Sequence, residues 1–340
     1  MVRNVLFNWC RGFLVTGLLA GSVYAVNPQI ILKLGETHPK GYPTEVADEE
    51  FARLVNEYSQ GKIRIEVYPG SQLGEEKAVI EQVQLGAVAL TRVSTGAVST
   101  FHKPLGVFSV PYIFDNTEHM WNYLNSADGQ SMLDALTTSN FIGLCYYDGG
   151  TRSFYSVKPL TKLEDLKGLK IRGMSSPYLL KTIEMFGAVP TPMPLGQIFS
   201  ALQSGAIDGA ENNAPSYFTW NHYQVAKYYL LDYHLRIPEV LIMSKIVWDK
   251  LSADDQAVVR KAAVASVKKQ RMLWEAQETG DLKKVKAAGA IVTVVKDFAP
   301  YKAAVKPLLE EAAKEYGDVL KTIEKARVVK KQAVKKSTGT

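Results

Sequence analysis

Short runs of strand-like residues alternate with longer amphipathic runs along most of this chain. Residues 30–35 form an apolar stretch of strand length, and residues 43–58 place Val46, Phe51, Leu54 and Val55 on one side of a helix. Residues 63–68 alternate apolar and polar side chains, and Pro69-Gly70 ends that strand. Residues 75–86 read as a helix with acids in its first turn, where the helix dipole favours them. Residues 88–93 are the next strand. This β-α-β-α-β order predicts a mostly parallel sheet covered by helices.

The pattern then restarts. Strands are expected at 141–148, 154–157 and 169–172. Ser176 reads as a helix N-cap with Pro177 at the first helical position; that helix runs to about Phe186 and Gly187 stops it. A further helix at 194–204 and a strand at 207–211 complete a second unit, so the chain predicts two α/β lobes. In the last third, a strand at 240–247 precedes Ser252 and Asp255, spaced like a capping box. The helical run that begins there reaches about Ala287. More than thirty residues is long for a globular helix, and it has the length to brace both lobes. A strand at 291–295 and a helix at 301–325 follow. No internal repeat of 20 to 50 residues is visible.

The N-terminus changes the picture of where this chain works. Arg3 and Arg11 precede and flank an apolar run from Gly12 to Val23, and Val23-Tyr24-Ala25 offers a signal-peptidase site after Ala25. The alternative is an uncleaved anchor, although the run is short for a membrane span. Removing 25 residues leaves 315, enough for two domains, and takes the net charge from +6 to +4. Much of the remaining excess lies in the tail, where Lys321, Lys325, Arg327, Lys330, Lys331, Lys335 and Lys336 face only Glu324. No aromatic residues interleave there, so a solvated end is expected rather than a nucleic-acid site. Cys145 alone remains after the leader and is expected as a small buried hydrophobe in a strand.

The residues offer little for catalysis. His38, His102, His119, His222 and His234 have no zinc-site spacing, and no G-x-S-x-G, Walker or dinucleotide fingerprint occurs. No enzyme activity, cofactor or metal is expected, although a secreted enzyme acting on a small acid stays open. The polar residues at strand ends say more, because open α/β sheets bind ligands beyond the carboxyl ends of their strands. Glu36 and His38 follow the first strand; Arg92 and Ser94 close the third. Arg152 follows a strand of the second lobe, Arg172 ends another, and Asn212 follows the last. Arg172, a few residues before a helix start, combines a guanidinium fork with a helix N-terminus, a strong carboxylate site. Pairing with Glu164 or Asp165 is the competing reading.

Four stretches, in order, carry a resemblance: Tyr68-Pro69-Gly70-Ser71-Gln72-Leu73-Gly74, Val110-Pro111-Tyr112-Ile113-Phe114, Asp165-Leu166-Lys167-Gly168-Leu169-Lys170-Ile171-Arg172, and the run from Ala201-Leu202-Gln203-Ser204-Gly205 to Asp208-Gly209-Ala210-Glu211-Asn212-Asn213. Over residues 28 to 295 the chain resembles the solute-binding component of tripartite ATP-independent periplasmic (TRAP) transporters. The resemblance implies a two-lobed periplasmic-binding-protein-like α/β fold with hinge strands and a long helix across both lobes. The expected lobes are 26–148 plus about 236–290, and 149–235, with 291–340 packing across them. It implies that Arg172 binds a ligand carboxylate, that Arg152 and Asn212 help, and that Glu36 and His38 contact ligand hydroxyls; Arg92, from its place at a strand end, is expected to read the rest of the molecule with them.

The implied role is capture of a small organic acid in the periplasm for a TRAP permease. A uronate or other sugar acid is the first expectation. A dicarboxylate is second, with Arg92 binding the second charge. An apolar monocarboxylate, with a tetratricopeptide-repeat partner protein, is third.

Overall fold

A computed structural model describes residues 28–327 of the chain. The expected leader and most of the basic tail lie outside the described residues.

One nine-stranded sheet runs through the molecule in the order β2-β1-β3-β8-β4-β7-β5-β6, with β9 beside β8. The strands are β1 (Ile30–Glu36), β2 (Ile63–Tyr68), β3 (Leu90–Ser94), β4 (Phe141–Ser156), β5 (Lys170–Arg172), β6 (Val189–Pro190), β7 (Gly209–Asn212), β8 (Tyr228–Ser244) and β9 (Ile291–Val294). Strands β1, β2 and β3 are parallel, as are β5, β6 and β7. The two parallel blocks are joined by β4 and β8, which pair antiparallel along nearly their whole length. These two long strands make the molecule two-lobed, because each belongs to one lobe at one end and to the other at the other end.

Their pairing breaks where the lobes meet. The register shifts between Asp148 and Thr151, with Gly150 at φ +67°. A Cβ at Gly150 would lie 2.6 Å from Trp274 Nε1 and 2.7 Å from Glu278 Oε1, so both conformation and space require glycine. On the facing strand Tyr233 adopts φ +47°. The expectation of separate strands at 141–148 and 154–157 is thus corrected: a bulge, not a loop, separates them. Arg152 consequently lies inside β4, not after a strand. The strand expected at 240–247 is also corrected, since β8 begins twelve residues earlier.

The long helix spans Ala253–Ala287, capped by Ser252 Oγ accepting from Asp255 N at 3.2 Å. Near its start Val259, Ala262 and Ala263 pack with Phe51, Leu90 and Leu241 in the first lobe's core. Near its end Val285 packs with Tyr155, Ile207 and Tyr229 in the second lobe's core. Residues 253–290 therefore do not sit with the first lobe alone. Cys145 is buried in the first of these cores. On the opposite face of the sheet, a third core runs without a break from Val79 and Phe108 to Ile171 and Leu179. The C-terminal helix, Lys306–Ala326, is bonded to both sides of that core: Ile323 O accepts from His119 Nε2 at 2.7 Å, and Glu315 accepts from Tyr178 Oη at 2.9 Å. Among the described residues no helix is long and apolar enough to cross a membrane.

Candidate functional site

The carboxyl ends of β1, β3, β5 and β7 converge on the gap between the lobes, which is closed down to a cavity of about 40 Å³. Arg152, Arg172 and Asn212 line it from the second lobe, and His38 and Arg92 from the first. Glu36 does not reach it.

At the second-lobe end, Arg172 closes β5 and is only 4% exposed. Its Nε donates to Met193 O at 2.9 Å, and its two Nη atoms have no hydrogen-bond or ion-pair partner among the described residues. Burial lowers its pKa, and Arg152 adds to the push while Glu211 opposes it. The competing pairing does not occur: Asp165 instead accepts from Thr161 N and Oγ1, both at 2.8 Å. The helix Pro177–Met185 starts nearby, but its first turn does not line the cavity, and Ser176 makes no side-chain cap. The guanidinium, not the helix dipole, is what this strand end presents.

Arg152 is held quite differently. Its Nε and Nη2 donate to the Glu211 carboxylate at 2.5 and 2.8 Å, and its Nη1 donates to Asn212 Oδ1 at 2.8 Å. Glu211 also lies 3.6 Å from His234 Nε2, and His234 Nδ1 lies 3.0 Å from Asp232. Burial would raise the Glu211 pKa, but Arg152 and His234 overcome it and hold it down to about 2. His234 is pushed the other way: burial disfavours its charge, yet Asp232 and Glu211 raise its pKa to about 9. The chain Asp232–His234–Glu211–Arg152 thus alternates in sign and fixes Arg152 and Asn212 beside the free Arg172.

At the first-lobe end, Arg92 and Glu36 are cross-strand partners on β3 and β1. Arg92 Nε donates to Glu36 Oε2 at 2.7 Å, its Nη2 to Glu36 Oε1, and its Nη1 to Glu239 Oε2 at 2.6 Å. Arg92 is therefore neutralised by protein carboxylates, which corrects the expectation that it binds a second ligand charge. Glu36 is corrected too: it stands behind His38, accepting from His38 N at 2.7 Å and lying 3.0 Å from His38 Nδ1. Arg92 and His38 hold the Glu36 pKa well below the carboxylate range against its burial. Burial and Arg92 lower that of His38, whose Nε2 is left without a partner among the described residues.

Several lining residues escaped the sequence reading. His38 stacks on Tyr42, ring centroids 3.9 Å apart, and Tyr42 Oη crosses the gap to Ser216 Oγ at 2.9 Å and Asn213 Oδ1 at 3.3 Å. Glu76 lines the first-lobe wall, with Oε1 accepting from Ser94 N at 2.7 Å, and Glu239 stands beside Arg92. Trp274 comes from the middle of the long helix. Of these, Trp274 carried a signal, as a lone tryptophan in a polar, alanine-rich helix; Asn213 adjoined a chosen residue. Among the described residues no group of three His, Cys, Asp or Glu side chains is placed to hold a metal ion.

What this arrangement can do is bind. Its described residues offer a buried cation without a carboxylate of its own, an imidazole, amides and carboxyls, all facing a closed cavity between two lobes.

Comparison with known proteins agrees in fold and family. Residues 34–315 match the family model for bacterial extracellular solute-binding proteins, family 7. A solute-binding protein of Chromohalobacter salexigens is 34% identical over 283 residues, 83% of this chain and 84% of that one. A TRAP periplasmic solute-binding protein from Pseudomonas putida F1, solved with bound D-glucuronate, is 41% identical with a TM-score of 0.84 over 86% of this chain and 96% of that one. Another from Xanthobacter autotrophicus Py2, solved with bound β-D-galacturonate, is 41% identical with a TM-score of 0.83 over 86% and 98% of the two chains. The chain belongs to bacterial extracellular solute-binding protein family 7, the TRAP periplasmic solute-binding proteins.

Proposed function

We propose that this protein captures a uronate, D-glucuronate or D-galacturonate, in the periplasm and delivers it to a TRAP-type membrane permease. The observation that carries the ligand reading is the Arg172 guanidinium, buried and without a carboxylate of its own. A buried unpaired charge is costly, and a ligand carboxylate removes that cost through two parallel hydrogen bonds. Arg152 and Asn212, pre-set by Glu211, complete the carboxylate site. His38, Tyr42, Ser216 and Asn213 read the hydroxyls. Two of the structural neighbours hold uronates, which supports the same ligand class. The charged lining of the cavity argues against an apolar monocarboxylate, and with it against a tetratricopeptide-repeat partner.

Closure follows from the same contacts. Tyr42 in the first lobe reaches Ser216 and Asn213 in the second only when the gap is shut. The shut form prevails to the extent that ligand binds it better than the open one. In this reading the first lobe comprises residues 26–148 with about 236–250, the second comprises 149–235, and the long and C-terminal helices brace both. The exported protein begins after Ala25.

The test is calorimetry on protein unfolded and refolded to remove carried ligand. D-Glucuronate or D-galacturonate should bind wild type and not Arg172→Ala. Failure of both uronates to bind a well-folded wild type would remove the assignment.

A further inference from the structure

The two ends of the cavity are electrostatically opposite. At the second-lobe end, Arg152 and Arg172 face the single carboxylate of Glu211, which leaves one positive charge for a ligand to neutralise. At the first-lobe end the only cation among the described lining residues is Arg92, and it is enclosed by Glu36 and Glu239. Its Nε, Nη1 and Nη2 are all engaged by those two carboxylates and by His38. Glu76 adds a further carboxyl to the same wall, fixed by the Ser94 backbone. The wall thus offers oxygen acceptors to ligand hydroxyls and no unspent positive charge.

Building on the sugar-acid reading, we infer that this wall restricts the cleft to polyhydroxy acids with one carboxylate and rejects those with a second carboxylate at the far end. A second carboxylate would be stripped of water and set beside Glu239 and Glu76, with Arg92 already spent. Capturing Arg92 would strand Glu36 or Glu239 as an unpaired buried charge. Burial raises the pKa of both Glu76 and Glu239. The same burial disfavours a ligand carboxylate placed beside them. Hydroxyls meet no such conflict, since each can donate to a carboxyl oxygen and accept from His38 Nε2 or Ser94 Oγ. A uronate fits this polarity end to end, and an aldarate of the same carbon skeleton does not.

The experiment compares D-glucuronate, D-gluconate and D-glucarate by calorimetry on the refolded exported protein, in wild type, Glu239→Gln and Glu76→Gln. Gluconate and glucarate differ only in the terminal hydroxymethyl or carboxylate. Wild type should bind glucarate at least 30-fold more weakly than glucuronate. In at least one variant with a wild-type circular dichroism spectrum, glucarate should gain tenfold or more relative to gluconate. Glucarate within threefold of glucuronate in wild type overturns the inference and leaves the uronate reading standing. So does the absence of any gain over gluconate in both folded variants. Loss of glucuronate binding by wild type instead sinks the uronate reading, and the inference with it.

Discussion

Replacing Arg172 by alanine separates a binding residue from a structural one. In the unliganded protein its side chain makes one hydrogen bond, from Nε to Met193 O, and its charge has no direct partner among the described residues. Losing that bond costs about 1 kcal/mol, and removing an uncompensated buried cation offsets part or all of it. The unliganded variant should therefore stay within about 1 kcal/mol of wild type. Binding should respond far more strongly. Truncating one partner of a buried, hydrogen-bonded charge pair costs about 2–5 kcal/mol, which is roughly 30- to 4000-fold in Kd. Thermal unfolding reads both quantities in one experiment. At about 100 times its Kd, a ligand stabilises wild type by about 2.7 kcal/mol, a shift of several degrees. Arg172→Ala should show the wild-type baseline and, at that concentration, a ligand stabilisation of at most about 0.9 kcal/mol. A uronate affinity within threefold of wild type would refute the carboxylate role, and collapse of the unliganded baseline would show that Arg172 holds the fold.

Tyr42→Phe removes the hydroxyl that crosses to Ser216 and Asn213, and should weaken uronate binding about three- to tenfold through faster release, read by stopped-flow fluorescence. His234 has its pKa raised to about 9 in the fold, so its ion pairs stabilise fully below about pH 6.5 and are lost as pH rises through about 9. Wild type should accordingly lose its stability advantage over His234→Gln across that window, seen as converging melting temperatures. Glu211, held down to about 2, stabilises above about pH 4.5 and loses that contribution as pH falls through about 2; Glu211→Gln should flatten the acid limb of the stability curve. Gly150→Ala forces a Cβ against Trp274 and Glu278 at a left-handed φ, and should destabilise by about 1–3 kcal/mol while shifting the tryptophan emission.

Local signals were legible where the local chain decides the outcome. Ser252 and the helical period that follows located the long helix to within a residue at each end, because capping and periodicity act over a few residues. The strand end at Arg172 was legible because its strand, turn and helix lie within sixteen residues. Strand β8 was not, and the reason is chemical. Asp232, His234, Arg236, Pro238 and Glu239 interrupt its apolar alternation, and three of them belong to the buried charge networks at the two ends of the site. Arg92 was read as a free cation because its partners lie 56 and 147 residues away in the chain. Only the β1–β3 register, which no local pattern encodes, sets Glu36 opposite it.

The central strand of the sheet is nearly the last to be made. Strand β3 is complete at Ser94 and the first half of β4 by Asp148, yet β8, which must lie between them, ends only at Ser244. During synthesis the first lobe therefore has two unpaired strand edges and no way to join them for about a hundred residues, and its covering helix comes later still. Such long-range pairing is slow. In the proposed export reading, the late central strand acts as a built-in delay to folding, and a fragment ending before Tyr228 should remain unfolded.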